Sequence, residues 1–96
     1  MNLPVRLLDD AVTDLDNIQA WGVEAFGAVY AVAFGESLLD RLALLGTHPR
    51  IGRLGRVAGT REWILAKTPF IGVYQEPAQS VDVLRILHSA MQWPPR

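Results

Sequence analysis

Apolar positions along this chain follow two rhythms. Ala11, Leu15, Ile18 and Gly22 stand at i, i+4, i+7 and i+11, one stripe of an amphipathic helix. Asp9 and Asp10 precede the stripe as N-cap candidates, and Asp14 and Asp16 follow in its first turns. Carboxylates there complement the positive end of a helix dipole. Gly22 and Gly27 bracket a break. A second helix is predicted from about Ala25 to Leu45. Its apolar residues (Val29, Tyr30, Val32, Ala33, Phe34, Leu38, Leu39, Leu42 and Leu45) cover more than one stripe. Such a helix is either buried on two sides or offers a surface to a partner. The expectation is a core helix sandwiched between the first helix and a sheet. Gly46 ends it, and Thr47-His48-Pro49 reinforces the stop.

The second rhythm is that of strands. Leu3 to Leu8 reads as a short strand, with Pro4 tolerable near its start or on an edge. Arg61 to Lys67 sets Glu62, Ile64 and Ala66 against Arg61, Trp63, Leu65 and Lys67. After a Thr-Pro turn, Phe70 to Gln75 is apolar on both faces. So is Val81 to Leu87, beyond the turn residues Glu76 to Ser80. Strands apolar on both sides belong in a sheet covered on both faces. With helices on one face only, the other predicts an added chain. Ser89 to Arg96 is expected to be a short tail with Trp93 folded back as an anchor. The architecture predicted for residues 1–96, one domain, is α+β.

Between helices and strands, Pro49 to Gly59 alternates Arg50, Arg53 and Arg56 with Gly52, Gly55 and Gly59. A phosphate-gripping loop is one reading. The run lacks the Gly-Lys-Ser/Thr ending of a P-loop and no strand leads into it, so a mobile surface connection with solvated arginines is expected.

Composition narrows the class. Half of the 96 residues are hydrophobic and a fifth are charged, a globular balance. With no cysteine and only two histidines, neither a disulfide framework nor a metal site is expected. Glu36, Asp40 and Arg41 interrupt the longest apolar stretch, so no membrane span is predicted and a soluble, cytoplasmic protein is expected. The net charge of −1 hides an asymmetry. Residues 1–45 hold two arginines against seven carboxylates, whereas residues 46–96 hold seven bases against three acids. The basic half suggests an acidic partner, nucleic acid, or the acidic half of a second copy. The overall charge is too low for affinity carried mainly by phosphate contacts.

Five words in series, DDAVTDLDNI, LLGTHPRIGR, GTREW, TPFIGVY and VDVLRILHSAMQWP, resemble toxins of the RelE/ParE superfamily of bacterial type II toxin–antitoxin systems, closest to the ParE branch. The resemblance covers almost the whole chain. It implies an N-terminal strand and a two-helix antiparallel hairpin packed on a small, mostly antiparallel sheet. It also implies a cognate antitoxin whose extended tail wraps the toxin, a role in plasmid stabilisation, no cofactor, and DNA contact only through the antitoxin. Tyr30, Phe34, Leu38, Trp63 and Phe70 are the residues expected to meet that antitoxin.

Two activities occur in the superfamily. ParE-like members are gyrase poisons that act by binding, and RelE-like members cleave mRNA on the ribosome. Cleavage needs side chains that activate a 2′-OH, stabilise the phosphorane and protonate the leaving oxygen; Arg61, Arg85 and His88, with Glu62, are the candidates. Period-two alternation sends Arg85 and His88 to opposite faces unless a bulge re-aims one of them. This chain has Phe70 and Ile71 where the RelE branch usually carries an arginine, Met91 in place of a basic tail residue, and Lys67 as its one lysine. A binding toxin directed at DNA gyrase is therefore expected, with Arg61, Arg85, His88 and Trp93 at its functional edge and the ribosomal nuclease as the alternative. The residue-level alternatives are structural. Arg61 would make an ion pair, Arg85 would pair with Asp14 or Asp16, and His88 would be a hydrogen-bonded strand end. Trp21 and Trp63 are aromatic anchors of the type enriched at interfaces.

Overall fold

The computed structural model describes residues 2–94. Strand β1 (Val5–Leu7) leads into helix α1 (Asp9–Phe26), helix α2 (Ala28–Ala43) and a 3-10 turn at Leu44–Gly46. Strands β2 (Arg53–Leu54), β3 (Thr60–Ile64), β4 (Phe70–Gln75) and β5 (Val81–His88) follow. They form one sheet in the order β1-β5-β4-β3-β2, antiparallel except where β1 runs parallel to β5. The predicted α+β architecture, an N-terminal strand and helical hairpin on a mostly antiparallel sheet, is what the chain forms.

Gly27 makes the hairpin. Its φ of 92° is a left-handed conformation that glycine adopts without a Cβ clash, so α1 ends there and α2 restarts one residue later. Gly22, expected near the break, lies inside α1, where the absent side chain lets Ala31 of α2 approach. Leu8, not an aspartate, is the N-cap, and no side chain bonds there; Asp9 and Asp10 occupy the first turn.

Residues opposed in register share a face. Tyr74, Val83, Ile86 and Phe70 lie on the helix side, where they join Ala11, Leu15, Leu38, Leu42 and Leu45 in the core. Ile71, Val73 and Leu87 lie on the far side, yet none is more than 5% exposed. The chain covers that face itself, so the added chain predicted there is not required. At one end the Arg53–Gly59 segment folds back over Glu62. At the other the tail places Trp93 beneath the Arg85 guanidinium, 5.6 Å from the ring centroid.

Two further expectations are corrected. Pro49 to Gly59 is more than a mobile surface connection: Arg50, Arg53 and Arg56 are exposed, as expected, but each is also ion-paired, and Arg53–Leu54 adds the edge strand. Helix α2 is not sandwiched. Ala31, Gly35, Leu38 and Leu42 are buried, but Val29, Tyr30, Val32 and Leu39 are exposed. The hairpin packs on the sheet through one side, and among the described residues nothing covers the other.

Candidate functional site

The hairpin turn places a run of aromatic rings at its tip. Trp21 and Phe26 meet edge-to-face at 5.5 Å. Phe26 touches Tyr30 at 5.1 Å, Tyr30 stacks on Phe34 at 6.2 Å, and Phe34 reaches Phe70 of β4 at 6.0 Å. His88, opposite Phe70 in the register, completes the run edge-on at 5.7 Å. These spacings fall within those favoured by aromatic pairs. The rings, with Asn17, Ile18, Gly22, Ala31, Lys67 and Pro69, line a groove of about 610 Å³ between the hairpin and the Lys67–Phe70 turn. Trp21, Phe26 and Tyr30 are each more than half exposed. Ordinary surface hydrophobes are scattered singly, whereas a contiguous patch rimmed by polar groups marks an interaction site.

The Arg, His and Trp candidates do not converge on one site; Arg85 and Trp93 meet, but Arg61 and His88 lie elsewhere. Arg61 bonds Glu76 through Nε at 2.7 Å and donates from Nη1 to the Gly52 carbonyl at 2.7 Å. The Tyr74 hydroxyl accepts the Gly52 N–H at 3.0 Å, and a Cβ on Gly52 would lie 2.7 Å from that hydroxyl. Arg61 thus pins the turn into β2. Arg85 is forked onto Asp14 at 2.7 and 3.0 Å. Asp14 also accepts the Ile86 N–H at 2.9 Å, taking the place of a neighbouring strand beyond the end of β1. His88 faces the groove, and its Nδ1 accepts the Ala90 N–H at 3.1 Å. A bulge at Leu84, where the register shifts between Val73 and Tyr74, precedes both Arg85 and His88 and leaves them on opposite faces. Arg61 stands opposite Tyr74 and His88 opposite Phe70, four residues or roughly 13 Å apart along the strand.

Of the five expected antitoxin contacts, the groove gathers Tyr30, Phe34 and Phe70. Leu38 is corrected: it is fully buried in the core, since its stripe on α2 points at the sheet. Trp63 packs against the core from β3, outside the groove. Ile18 and Phe26 were missed, because a second helix drawn from Ala25 absorbed Phe26 and hid the aromatic residues gathered around Gly27. Trp93 sits with Arg85 in a shallower depression that includes Leu8, Asp9, Asp10 and Leu84.

The fourth residue of the nuclease set, Glu62, is a structural anion. Its carboxylate is 1% exposed and held by Arg56 at 2.9 Å and Arg53 at 3.1 Å, with the Arg56 backbone N–H at 2.8 Å. The Arg56 guanidinium contributes most to holding its pKa down at about 2, against the opposing effect of burial. A carboxylate so held is a poor proton carrier near neutrality.

The model of the ParE toxin of the type II toxin–antitoxin system parDE matches residues 5–93. The chain belongs to this ParE toxin family. A chain from a structure of the chromosomal ParDE TA system of P. aeruginosa superposes with a TM-score of 0.82 at 23% identity, covering 90% of this chain and 95% of that one; this likeness concerns the fold. "Putative toxin Y4kP" of Sinorhizobium fredii is 40% identical over 50 residues, 52% of this chain and about half (51%) of that relative. In this ParE family member the aromatic groove is the candidate site. No helix among the described residues is long and apolar enough to cross a membrane.

Proposed function

We propose that the aromatic groove is where a cognate antitoxin docks and neutralises this toxin, and that the toxin stops growth by binding DNA gyrase, without cleaving RNA. The observation that carries the docking reading is the continuous run of rings from Trp21 to His88, half of it open to solvent. An apolar segment seated there removes aromatic surface from water at about 25 cal/mol per Å², and aromatic anchors dominate such interfaces. Against cleavage stands the separate engagement of Arg61, Arg85 and Glu62 in ion pairs and of His88 with Phe70. General acid–base catalysis requires groups within reach of one substrate bond. Binding to gyrase follows the ParE family and uses no assembled catalytic set.

The test adds purified toxin to a supercoiling reaction and, in parallel, to translating ribosomes. Inhibited supercoiling with intact mRNA is expected. Cut mRNA, abolished by His88→Ala or Arg85→Ala, overturns the binding mechanism. Coexpression with the adjacent small open reading frame is expected to relieve toxicity, and Trp21→Ala with Tyr30→Ala to restore toxicity in its presence. Relief unaffected by those substitutions overturns the groove as the docking site.

A further inference from the structure

Around β2 the arginines outnumber the acids they serve. Arg53 and Arg56 both bond Glu62, and Arg50 and Arg61 both bond Glu76. Four guanidiniums against two carboxylates leave this end of the sheet a surplus of two positive charges. Elsewhere among the described residues the ion pairs match one base to one acid, Arg6 to Asp82 and Arg85 to Asp14. Glu62 is buried and needs several donors. Glu76 is 37% exposed, where a second arginine adds little stability. The surplus points outward. The Arg50, Arg53 and Arg56 side chains are 69%, 58% and 45% exposed. Arg50 uses only Nε on Glu76 and Arg53 only Nη2 on Glu62, so their other N–H groups face water or a partner.

The same edge exposes aliphatic surface. Ile51, Leu54 and Ile64 are each more than half exposed. Arg53 stands opposite Glu62, and Leu54 opposite Arg61. Ile64 lies two positions beyond Glu62 on the same face of β3. Strand β2 ends the sheet, with β3 on one side and no strand on the other among the described residues. None of these side chains lines the aromatic groove. This is a second surface, in which fixed guanidiniums alternate with aliphatic groups.

That mixture specifies a partner. A two-residue edge strand carrying an arginine resists strand addition, so recognition runs through side chains. Aliphatic groups gain nothing from phosphates. The one ring of β2 and β3, Trp63, packs against the core and offers no platform for stacked bases. No helix stands at this edge to enter a duplex groove. Arginines around an apolar centre are instead the composition of a protein interface. Guanidiniums already held by carboxylates lose little freedom on binding, and their planar forks fit carboxylates.

We propose that this arginine-rich edge is the surface by which the toxin engages its target, and that it fits an acidic protein surface with an apolar centre. The proposal rests on the reading of this chain as a toxin that acts by binding, and adds where it binds and the charge class it meets. An antitoxin seated in the groove need not touch the edge to exclude a large target, since the molecule measures only 38 × 34 × 24 Å.

The test uses variants that leave each carboxylate a partner. Arg50→Gln with Arg53→Gln removes the surplus, while Arg61 stays on Glu76 and Arg56 on Glu62. Leu54→Asp sets a carboxylate on a side chain 76% exposed. Leu54→Lys removes the same aliphatic surface but adds positive charge. All are expected to keep the wild-type urea midpoint and to be captured as wild type by the antitoxin from the adjacent small open reading frame. Expressed without it, the double variant and Leu54→Asp are expected to lose growth arrest. The toxin concentration that half-inhibits supercoiling should rise about tenfold or more for both, and less for Leu54→Lys. Growth arrest at equal toxin levels by the double variant and Leu54→Asp overturns the proposal, as does loss of antitoxin capture in the same proteins. A greater loss in Leu54→Lys than in Leu54→Asp overturns the acidic class. If the wild-type toxin arrests growth and leaves supercoiling intact, the gyrase reading alone fails, and the growth assay still judges the edge. If the wild-type toxin alone binds a DNA duplex of about 20 bp in fluorescence anisotropy at about 0.05 M salt, and the double variant does not, the edge meets phosphates and the assignment to a protein partner is overturned.

Discussion

The two ends of this molecule treat their polar and apolar groups in opposite ways. Around Glu62, a carboxylate 1% exposed is held by two guanidiniums and a backbone N–H, and the glycines of the Arg53–Gly59 segment let the chain close over it. Around Gly27, three aromatic side chains stay more than half exposed, and along the two helices that meet there six carboxylates go without ion-pair partners among the described residues. A buried charge is tolerated only when it is paired and hydrogen-bonded, so the first region is finished within one chain. Exposed aromatic surface is a standing cost that a partner can remove. Internal stability thus belongs to the clasped sheet, and recognition of the antitoxin, in the function proposed above, to the open hairpin.

Substitutions can break this contrast, and the largest effect is expected at the clasp. Glu62→Ala leaves Arg53, Arg56 and the Arg56 N–H without their shared acceptor and should cost about 3 kcal/mol, read as a lowered urea midpoint. An unchanged midpoint would mean that the arginines are as well served by water. The same carboxylate makes stability pH-dependent. Its folded pKa of about 2 lies below its usual 4.5, and the arginine partners of Glu76 and Asp82 shift those carboxylates the same way. A group with a depressed folded pKa stabilises above its unfolded pKa and loses that contribution as pH falls through the folded one. Stability should therefore fall between about pH 4.5 and about pH 2, by roughly 2–3 kcal/mol from Glu62, and a Glu62→Gln protein should show a flatter acid limb in urea melts.

Between the two regions lies Asp14, which belongs to α1 but serves β5. Asp14→Ala removes a forked pair and the acceptor of the Ile86 N–H, an expected loss of about 2 kcal/mol by chemical denaturation. At the open end, Trp21→Ala and Tyr30→Ala should change stability by less than about 0.5 kcal/mol while removing antitoxin protection in cells. A loss above about 2 kcal/mol in the free protein would make the aromatic run core and erase the contrast. The smallest effect is expected at Lys67, whose φ of 64° is left-handed. Lys67→Gly relieves a side-chain penalty of about 1 kcal/mol, partly offset by chain entropy, so thermal melts should show a gain of a few tenths of a kcal/mol.

Much of the fold is legible in the order of residues, and the reason is local. The stripe of Ala11, Leu15 and Ile18, the stop at Gly46 and the run from Phe70 to Gln75 each carry their periodicity within a single element. Local patterning also divides Arg61 from Glu62 and Arg85 from His88, as the strand registers do. The groove is less legible. Its walls come from α1, α2, the Lys67–Phe70 turn and the end of β5, and a boundary misplaced by three residues at the start of α2 is enough to scatter Trp21, Phe26 and Tyr30.

The sequence by itself determined the two helices, the longer strands, their order and the family, because hydrophobic period and turn chemistry act over a few residues. Tertiary structure decided which charges find each other, taking Asp14 rather than Asp16 for Arg85, and which apolar residues stay outside. Arg85 meets an aspartate 71 positions away and Arg50 a glutamate 26 positions away, distances over which no spacing rule operates. Leu38 and Tyr30 lie eight residues apart on one helix; docking buries the first completely and leaves the second 54% exposed. That choice depends on which side of α2 meets the sheet, a property of the packed molecule.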